Sequence, residues 1–201
     1  MPLPPIAKLK STSTIKPRQT MRGDTSWVVD VAHLPDGRRI VTCSFDGSLR
    51  LWDLESGTQI GNDWRDGEGD DGGDGDRDEE GVWTMELSPN GKRIVSGSKG
   101  QKVRLWDVGT EKVVAKWTGN TDIQLSLCWS VDGERVVSGS YDGTIRGWDV
   151  ESGDTVLVGP IKTGHQAVAA AIYSPNTRWH CVKNLECKDR QPAFHKSNTI
   201  L

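Results

Sequence analysis

Arg135-Val-Val-Ser-Gly-Ser-Tyr-Asp-Gly-Thr-Ile-Arg-Gly-Trp-Asp149 is the stretch on which the reading turns. Its first six residues are rich in β-branched side chains and are closed by Tyr141-Asp-Gly143, a hairpin turn signal. The segment 144–149 then alternates, with Ile145 and Gly147 on one face and Thr144, Arg146 and Trp148 on the other. Glu151-Ser-Gly153 supplies the next turn. The stretch therefore predicts strand, turn, strand, turn, with no helix.

The same sentence is written twice more. Arg39-Ile-Val-Thr-Cys-Ser-Phe-Asp-Gly-Ser-Leu-Arg-Leu-Trp-Asp53 and Arg93-Ile-Val-Ser-Gly-Ser-Lys-Gly-Gln-Lys-Val-Arg-Leu-Trp-Asp107 align with it without gaps. A turn precedes each copy, at Pro35-Asp-Gly37, Pro89-Asn-Gly91 and Val131-Asp-Gly133, and a fourth begins at Ser174-Pro-Asn176. The last two Trp-Asp pairs are 42 residues apart; the first two are 54 apart, and the extra residues coincide with an acidic run. A period of this length, made of short strands and turns, means a repeat of small antiparallel sheets.

A Ser-x-Ser-x-Asp-Gly ahead of Trp-Asp at this period resembles the WD40 repeat β-propellers, over about residues 22–176. The resemblance implies an all-β fold: an incomplete WD40-type propeller of about three four-stranded antiparallel blades plus one extra strand. The blades are expected at 24–64, 81–118 and 120–158, with a fourth starting at 164–176, inside a domain of 24–176. Strands are expected at 27–33, 39–44, 48–53 and 58–64; at 82–87, 93–98, 102–107 and 112–118; and at 123–129, 135–140, 144–149 and 155–158. Ala167 to Tyr173 would open the fourth blade. A chain of 201 residues then holds three blades and a strand, short of the four or more that a closed ring needs.

The resemblance also implies a hydrogen-bonded network in each blade: a His ahead of the first strand, a Ser or Thr in the second, a turn Asp and the Trp of the Trp-Asp pair. By spacing, these positions hold Asp24, Thr42, Asp46 and Trp52 in blade one; Asp78, Ser96, Gly100 and Trp106 in blade two; and Asn120, Ser138, Asp142 and Trp148 in blade three. Only the unfinished fourth repeat has the His, at His165. Asn120 can donate through its amide, whereas an ionised Asp24 facing Asp46 sets two acceptors together. Weaker networks are expected in blades one and two, and Asp24→His is expected to raise the melting temperature.

Composition bounds the function. A net charge of −3 argues against a basic nucleic-acid binder. The longest apolar run, Ala167–Tyr173, is too short to span a bilayer. Cys43, Cys128, Cys181 and Cys187 are scattered and read as free thiols of a cytoplasmic chain, with the nucleus left open. The spacing of Cys181, Cys187 and His195 fits no zinc pattern. A catalytic serine is not expected, because Ser recurs in every repeat and no Gly-x-Ser-x-Gly elbow or phosphate loop is present. The reading is a chain without enzyme activity, cofactor or metal.

Three segments lie outside the repeat pattern. Residues 1–23 contain four Pro, five Lys/Arg and no acid, and read as a flexible basic arm. Asp63–Glu80 contains ten acids and two Arg, and reads as a solvated acidic loop able to dock a basic partner. Calcium is the weak alternative: with Asp74, Asp76 and Asp78 as first ligands, Glu79 stands where a loop Gly is needed and Met85 where a Glu is needed. Residues 177–201 break the repeat, with neither the β-branched strand ending Ser-Gly-Ser that the repeat calls for nor a Trp-Asp, and read as a divergent tail.

The function implied by the resemblance is a protein–protein interaction scaffold; the alternative is a truncated fragment of a longer WD40 protein without activity of its own. Candidate partner-binding residues are Phe45, Lys99 and Tyr141, each preceding the turn, with Trp27 and Trp83 near the starts of first strands. The partners would be other proteins, or a second copy of the chain completing a ring; neither nucleic acid nor membrane is expected.

Overall fold

The computed structural model describes residues 19–66, 81–99, 102–154, 161–162, 167–168, 170–172 and 180–183. Three four-stranded antiparallel sheets succeed one another along the chain. Blade one is β1 (Val28–His33), β2 (Arg39–Ser44), β3 (Leu49–Asp53) and β4 (Gln59–Trp64). Blade two is β5 (Val82–Leu87), β6 (Arg93–Ser98), β7 (Lys102–Asp107) and β8 (Lys112–Thr118). Blade three is β9 (Gln124–Trp129), β10 (Arg135–Ser140), β11 (Thr144–Asp149) and β12 (Ile161–Lys162). A two-stranded sheet follows, β13 (Ala170–Ile172) with β14 (His180–Lys183). The described residues contain no helix.

Period-2 patterning explains the strands, and short polar side chains explain the turns. Each blade order is that of the chain, so every connection is a local hairpin. In the first turn of blade three, the Asp132 carboxylate accepts from Glu134 N–H at 3.0 Å, and Gly133 takes φ of +74°. The Asp of each Trp-Asp pair closes the turn into the fourth strand. Asp53 accepts the N–H groups of Glu55 and Ser56 at 2.9 and 2.7 Å, and Asp149 those of Glu151 and Ser152 at 3.1 and 3.0 Å. The Ser56 N–H, above all, holds the Asp53 carboxyl below its ordinary range.

Register makes positions comparable between blades. Val31 pairs with Thr42, Met85 with Ser96 and Leu127 with Ser138, so these three apolar residues are one position repeated. Adjacent blades pack face on face. The front of blade one (Val41, Cys43, Leu49, Leu51, Trp64) meets the rear of blade two (Val82, Met85, Ile94, Trp106). The front of blade two (Val95, Val103, Leu105, Trp117) meets the rear of blade three (Leu127, Trp129, Val136, Trp148). Trp pairs close both seams: Trp64 lies 6.3 Å from Trp106, and Trp117 stacks on Trp148 at 5.7 Å. Burial in the first seam pushes the Cys43 thiol well above its ordinary range, which keeps it unreactive.

Two expectations change here. The segment expected as a divergent tail carries β14, which pairs antiparallel with β13 through Ala171↔Cys181 and Ile172↔His180, and β13 itself lies within the strand expected at 167–173. Its His-Cys-Val-Lys lacks the Ser-Gly-Ser of the repeat, yet four residues next to an unpaired strand edge are enough for pairing. The strand expected at 155–158 lies outside the described residues; the fourth strand of blade three is seen as β12, paired to β11 through Thr144↔Lys162.

Candidate interaction face

Each turn between second and third strands forms one corner of a blade, and the three corners are built alike. The N–H of Phe45 donates to Trp27 O at 2.9 Å, that of Lys99 to Gly81 O at 3.4 Å, and that of Tyr141 to Ile123 O at 2.8 Å. Trp27 is thus equivalent to Gly81 and Ile123, and not to Trp83. Replacing a Trp by Gly at the same corner of blade two opens room for its neighbour. A Cβ at Gly81 would stand 3.2 Å from Phe45 O, so the Phe45 backbone lies directly against the start of blade two.

The result is an aromatic step across the first seam. Phe45 stacks with Trp27 at 6.2 Å between ring centres, and meets Trp83 at 4.6 Å with the rings tilted by 47°. Trp27 is 74% exposed, while Phe45, between the two Trp rings, and Trp83 are half-buried. Three of the five candidate residues come together in this way. Lys99 and Tyr141 stand apart, at the equivalent corners of blades two and three.

Behind the corner of blade one lies a charged cluster that sequence reasoning missed. Arg50, buried in β3, donates through one guanidinium nitrogen to both Asp24 and Asp46, the latter at 2.8 Å. Its other nitrogens grip Asp63 at 2.9 and 2.7 Å. Asp24 and Asp46 are indeed two acceptors at one place, but Arg50 stands between them. The expectation that Asp24→His would stabilise the fold is therefore corrected, since it would set a third donor against Arg50 and remove a carboxylate that the guanidinium needs. Burial raises the Asp46 carboxyl, but hydrogen bonds from Ser48, Thr25 and Arg50 outweigh it and hold the group well below the usual carboxylate range.

The remaining network positions are placed as follows. Trp52 Nε1 donates to Thr42 Oγ1 at 2.9 Å and Trp106 Nε1 to Ser96 Oγ at 2.8 Å. Asn120 Nδ2 donates to Ser138 Oγ at 3.0 Å, and Asp142 accepts from Thr121 N–H at 2.8 Å and Thr144 Oγ1 at 2.5 Å. Trp148 is buried in the second seam. Asp78, Gly100 and His165 lie outside the described residues.

The root of the acidic run is structural, which narrows the solvated part. Asp63 belongs to β4, and Asp66 crosses the seam to Arg104 at 2.7 Å and Lys116 at 2.6 Å. Residues 67–80, with the Asp74, Asp76 and Asp78 of the calcium reading, lie outside the described residues, as do Cys187 and His195. Among the described residues, no group of three His, Cys, Asp or Glu is placed to hold a metal ion. No helix among them is long and apolar enough to cross a membrane.

The WD domain, G-beta repeat model matches residues 15–53, 74–107 and 111–149, more than half of the chain. The chain belongs to the WD40 family. Among curated relatives, it is 28% identical over 119 residues to WD repeat-containing protein 1 of Gallus gallus, covering 56% of this chain and 18% of that protein. It is 25% identical over 104 residues to eukaryotic translation initiation factor 3 subunit I of Schizosaccharomyces pombe, covering 52% of this chain and 28% of that one. A shorter stretch of 52 residues is 50% identical to ribosome assembly protein 4 of Saccharomyces cerevisiae, covering 26% of this chain and 10% of that one. The chain thus spans less than a third of the length of each of these relatives. The solved structure of U3-55K shares the fold, with a TM-score of 0.64 at 24% identity over 76% of this chain and 44% of that chain. WD40 repeats generally serve as non-enzymatic scaffolds for protein–protein interaction, and this chain carries that scaffold as an unclosed propeller.

Proposed function

We propose that the chain works as an interaction scaffold whose docking point is the aromatic step at the first seam, and that its partner is a basic, extended protein segment. The observation that carries this reading is the exposure of Trp27 over the Phe45–Trp83 pair. A large aromatic held out by a rigid corner is a ready anchor, because its rotamers are already restrained before the partner arrives. The sign of the partner follows from sequence. With Asp63 and Asp66 tied into the fold, residues 67–80 carry eight acids and one Arg, a net charge of −7, and the chain continues at Gly81, directly against Phe45. Lys and Arg side chains suit both features, through attraction to the acids and through cation–π contact with the rings. Neither enzyme chemistry nor a bound cofactor has a part in this reading, and the place of action is the cytoplasm or nucleus.

The test is fluorescence anisotropy with a labelled Lys/Arg-rich peptide, and an acidic peptide of equal length as control. The basic peptide is expected to bind, with Trp27→Ala weakening it by about tenfold or more. Deleting residues 67–80 is expected to weaken binding and to flatten its salt dependence. Equal affinity for the two peptides, or no effect of Trp27→Ala, overturns the reading.

A further inference from the structure

The segment that leaves a blade's outer strand passes beside the arginine of the next blade. Register makes Trp64 and Trp117 equivalent: Trp64 pairs with Leu49 and Trp117 with Val103, each one residue before the Arg of its third strand. Two residues beyond these Trp stand Asp66 and Gly119. Asp66 crosses the first seam and divides its carboxylate between Arg104 Nε at 2.7 Å and Lys116 Nζ at 2.6 Å. Gly119 reaches the equivalent place at the second seam with no side chain to offer.

The second seam thus repeats the cation of the first without its acid. A Cβ at Gly119 would stand 3.1 Å from Arg146 Nη1 and 3.3 Å from its Cζ, so the guanidinium lies directly against the Gly119 backbone. Gly119 takes φ of +151°, where a residue with a side chain would be strained. Arg146 Nε, the counterpart of the atom that Asp66 takes on Arg104, is buried and has no hydrogen-bond partner among the described residues. Asp142, the counterpart of Asp46, accepts from Thr121 and Thr144. Lys162 pairs with Thr144 and is exposed, which sets a second cation on the Arg146 face of the sheet. From Thr155 to Leu185 the chain that follows blade three contains no acid. A guanidinium N–H held out of water without an acceptor is destabilising, and a carboxylate fits its planar fork.

We propose that the notch between Gly119 and Arg146 receives the carboxylate of an Asp or Glu side chain of a partner protein, gripped as Asp66 is gripped within the chain. A protein is the source because the fold is a protein-interaction scaffold and its own precedent is a carboxylate carried on a loop across a seam. The notch lies at the second seam and does not rest on the aromatic step at the first. The two places take partner segments of opposite charge.

Nitrogen–proton correlation spectra of the full chain test this through the guanidinium Nε–Hε signals, with the three repeated arginines as their own controls. An end-capped peptide with a single Glu among Gly and Ser is expected to shift the Arg146 signal saturably, with the weak, millimolar affinity of one partly exposed ion pair. The signals of Arg50 and Arg104, already paired, are expected to stay in place. The same peptide with Gln is expected to leave Arg146 unmoved, and acetate, which brings no peptide groups, to bind more weakly than the Glu peptide. The backbone amides of Gly119 and Asn120 report the same event. Arg146→Met is expected to abolish their shifts, while unchanged Arg50 and Arg104 signals show the fold intact. No shift at Arg146, equal shifts at all three arginines, a Gln peptide as effective as the Glu peptide, or acetate bound more tightly than the peptide overturns the proposal.

Discussion

Blades one and three end in the same Arg-x-Trp-Asp, yet their arginines keep different company. Arg50 sits among Asp24, Asp46 and Asp63, all within hydrogen-bond reach. At the equivalent place in blade three, Asp24 is replaced by Asn120, which turns its amide to Ser138. Among the described residues, Asn120 Oδ1 and Arg146 Nε are buried without a hydrogen-bond partner. Blade one ties its arginine to three carboxylates, whereas blade three sets a neutral amide in the place of Asp24 and, among the described residues, carries three buried unsatisfied atoms (Asn120 Oδ1, Ser126 Oγ and Arg146 Nε) against one in blade one (Trp64 Nε1). Repetition of a residue thus fixes its place in the blade, while its work depends on what the neighbouring loop supplies.

The largest effect should come from the arginines themselves. Arg50→Met leaves three carboxylates facing one another and should cost about 3–5 kcal/mol, enough to lower Tm by roughly 10 °C. Arg146→Met should cost less than half of that in the same calorimetric comparison. Equal losses would break the contrast between the blades. Exchange of the partner residue comes next. Asp24→Asn makes blade one resemble blade three and should cost about 1–2 kcal/mol by denaturant titration. Asn120→Asp gives Arg146 a counter-charge and should raise Tm; a fall would show that blade three is balanced as it stands.

Acid should loosen blades one and three alike, because hydrogen bonds hold both turn carboxyls, Asp46 and Asp142, below their ordinary range. The Asp46 carboxyl is held well below its ordinary value of 3.8 in the folded chain. Its contribution is therefore complete above that value and is lost as pH falls towards the lowered folded value, because the unfolded chain takes up the proton first. Stability followed from pH 5 down to about 2 should fall, and Asp46→Asn should flatten the fall. The smallest effect on stability belongs to Trp27→Ala, below about 0.5 kcal/mol, because the ring is mostly in solvent. That the same change should weaken peptide binding by about tenfold or more is what distinguishes an anchor from a core residue.

Much of this architecture can be read from the chain. Alternation and Gly-bearing turns place β2, β5 to β8, β10 and β11 at their observed bounds, because both signals are local. The three-fold recurrence of Trp-Asp fixes which residues occupy equivalent places. What escapes a local reading is what one loop does for another blade. Arg two residues before each Trp, at Arg50, Arg104 and Arg146, is a visible signal for a cation at a repeated place, buried at Arg50 and Arg104 and half-buried at Arg146. Its partners were not visible, since Asp24 and Asp63 reach it from opposite ends of blade one and Asp66 reaches Arg104 across a seam. The aromatic step has the same origin. Trp27 and Trp83 look alike near the starts of first strands, but register makes Trp27 the equivalent of Gly81, and Phe45 lies between the two Trp rings. β13 falls inside the strand expected at 167–173, whereas β14 lacks the repeat's pattern and is recognised only by its pairing with β13.

The most direct test of the docking site is amide hydrogen exchange with and without a saturating Lys/Arg-rich peptide. Protection should appear at 25–28, 45–47 and 81–84, the segments that form the step between blades one and two. The equivalent corner of blade three, Ile123 and Tyr141, should exchange unchanged. Protection centred on blade three, or spread evenly over all three corners, would contradict the account.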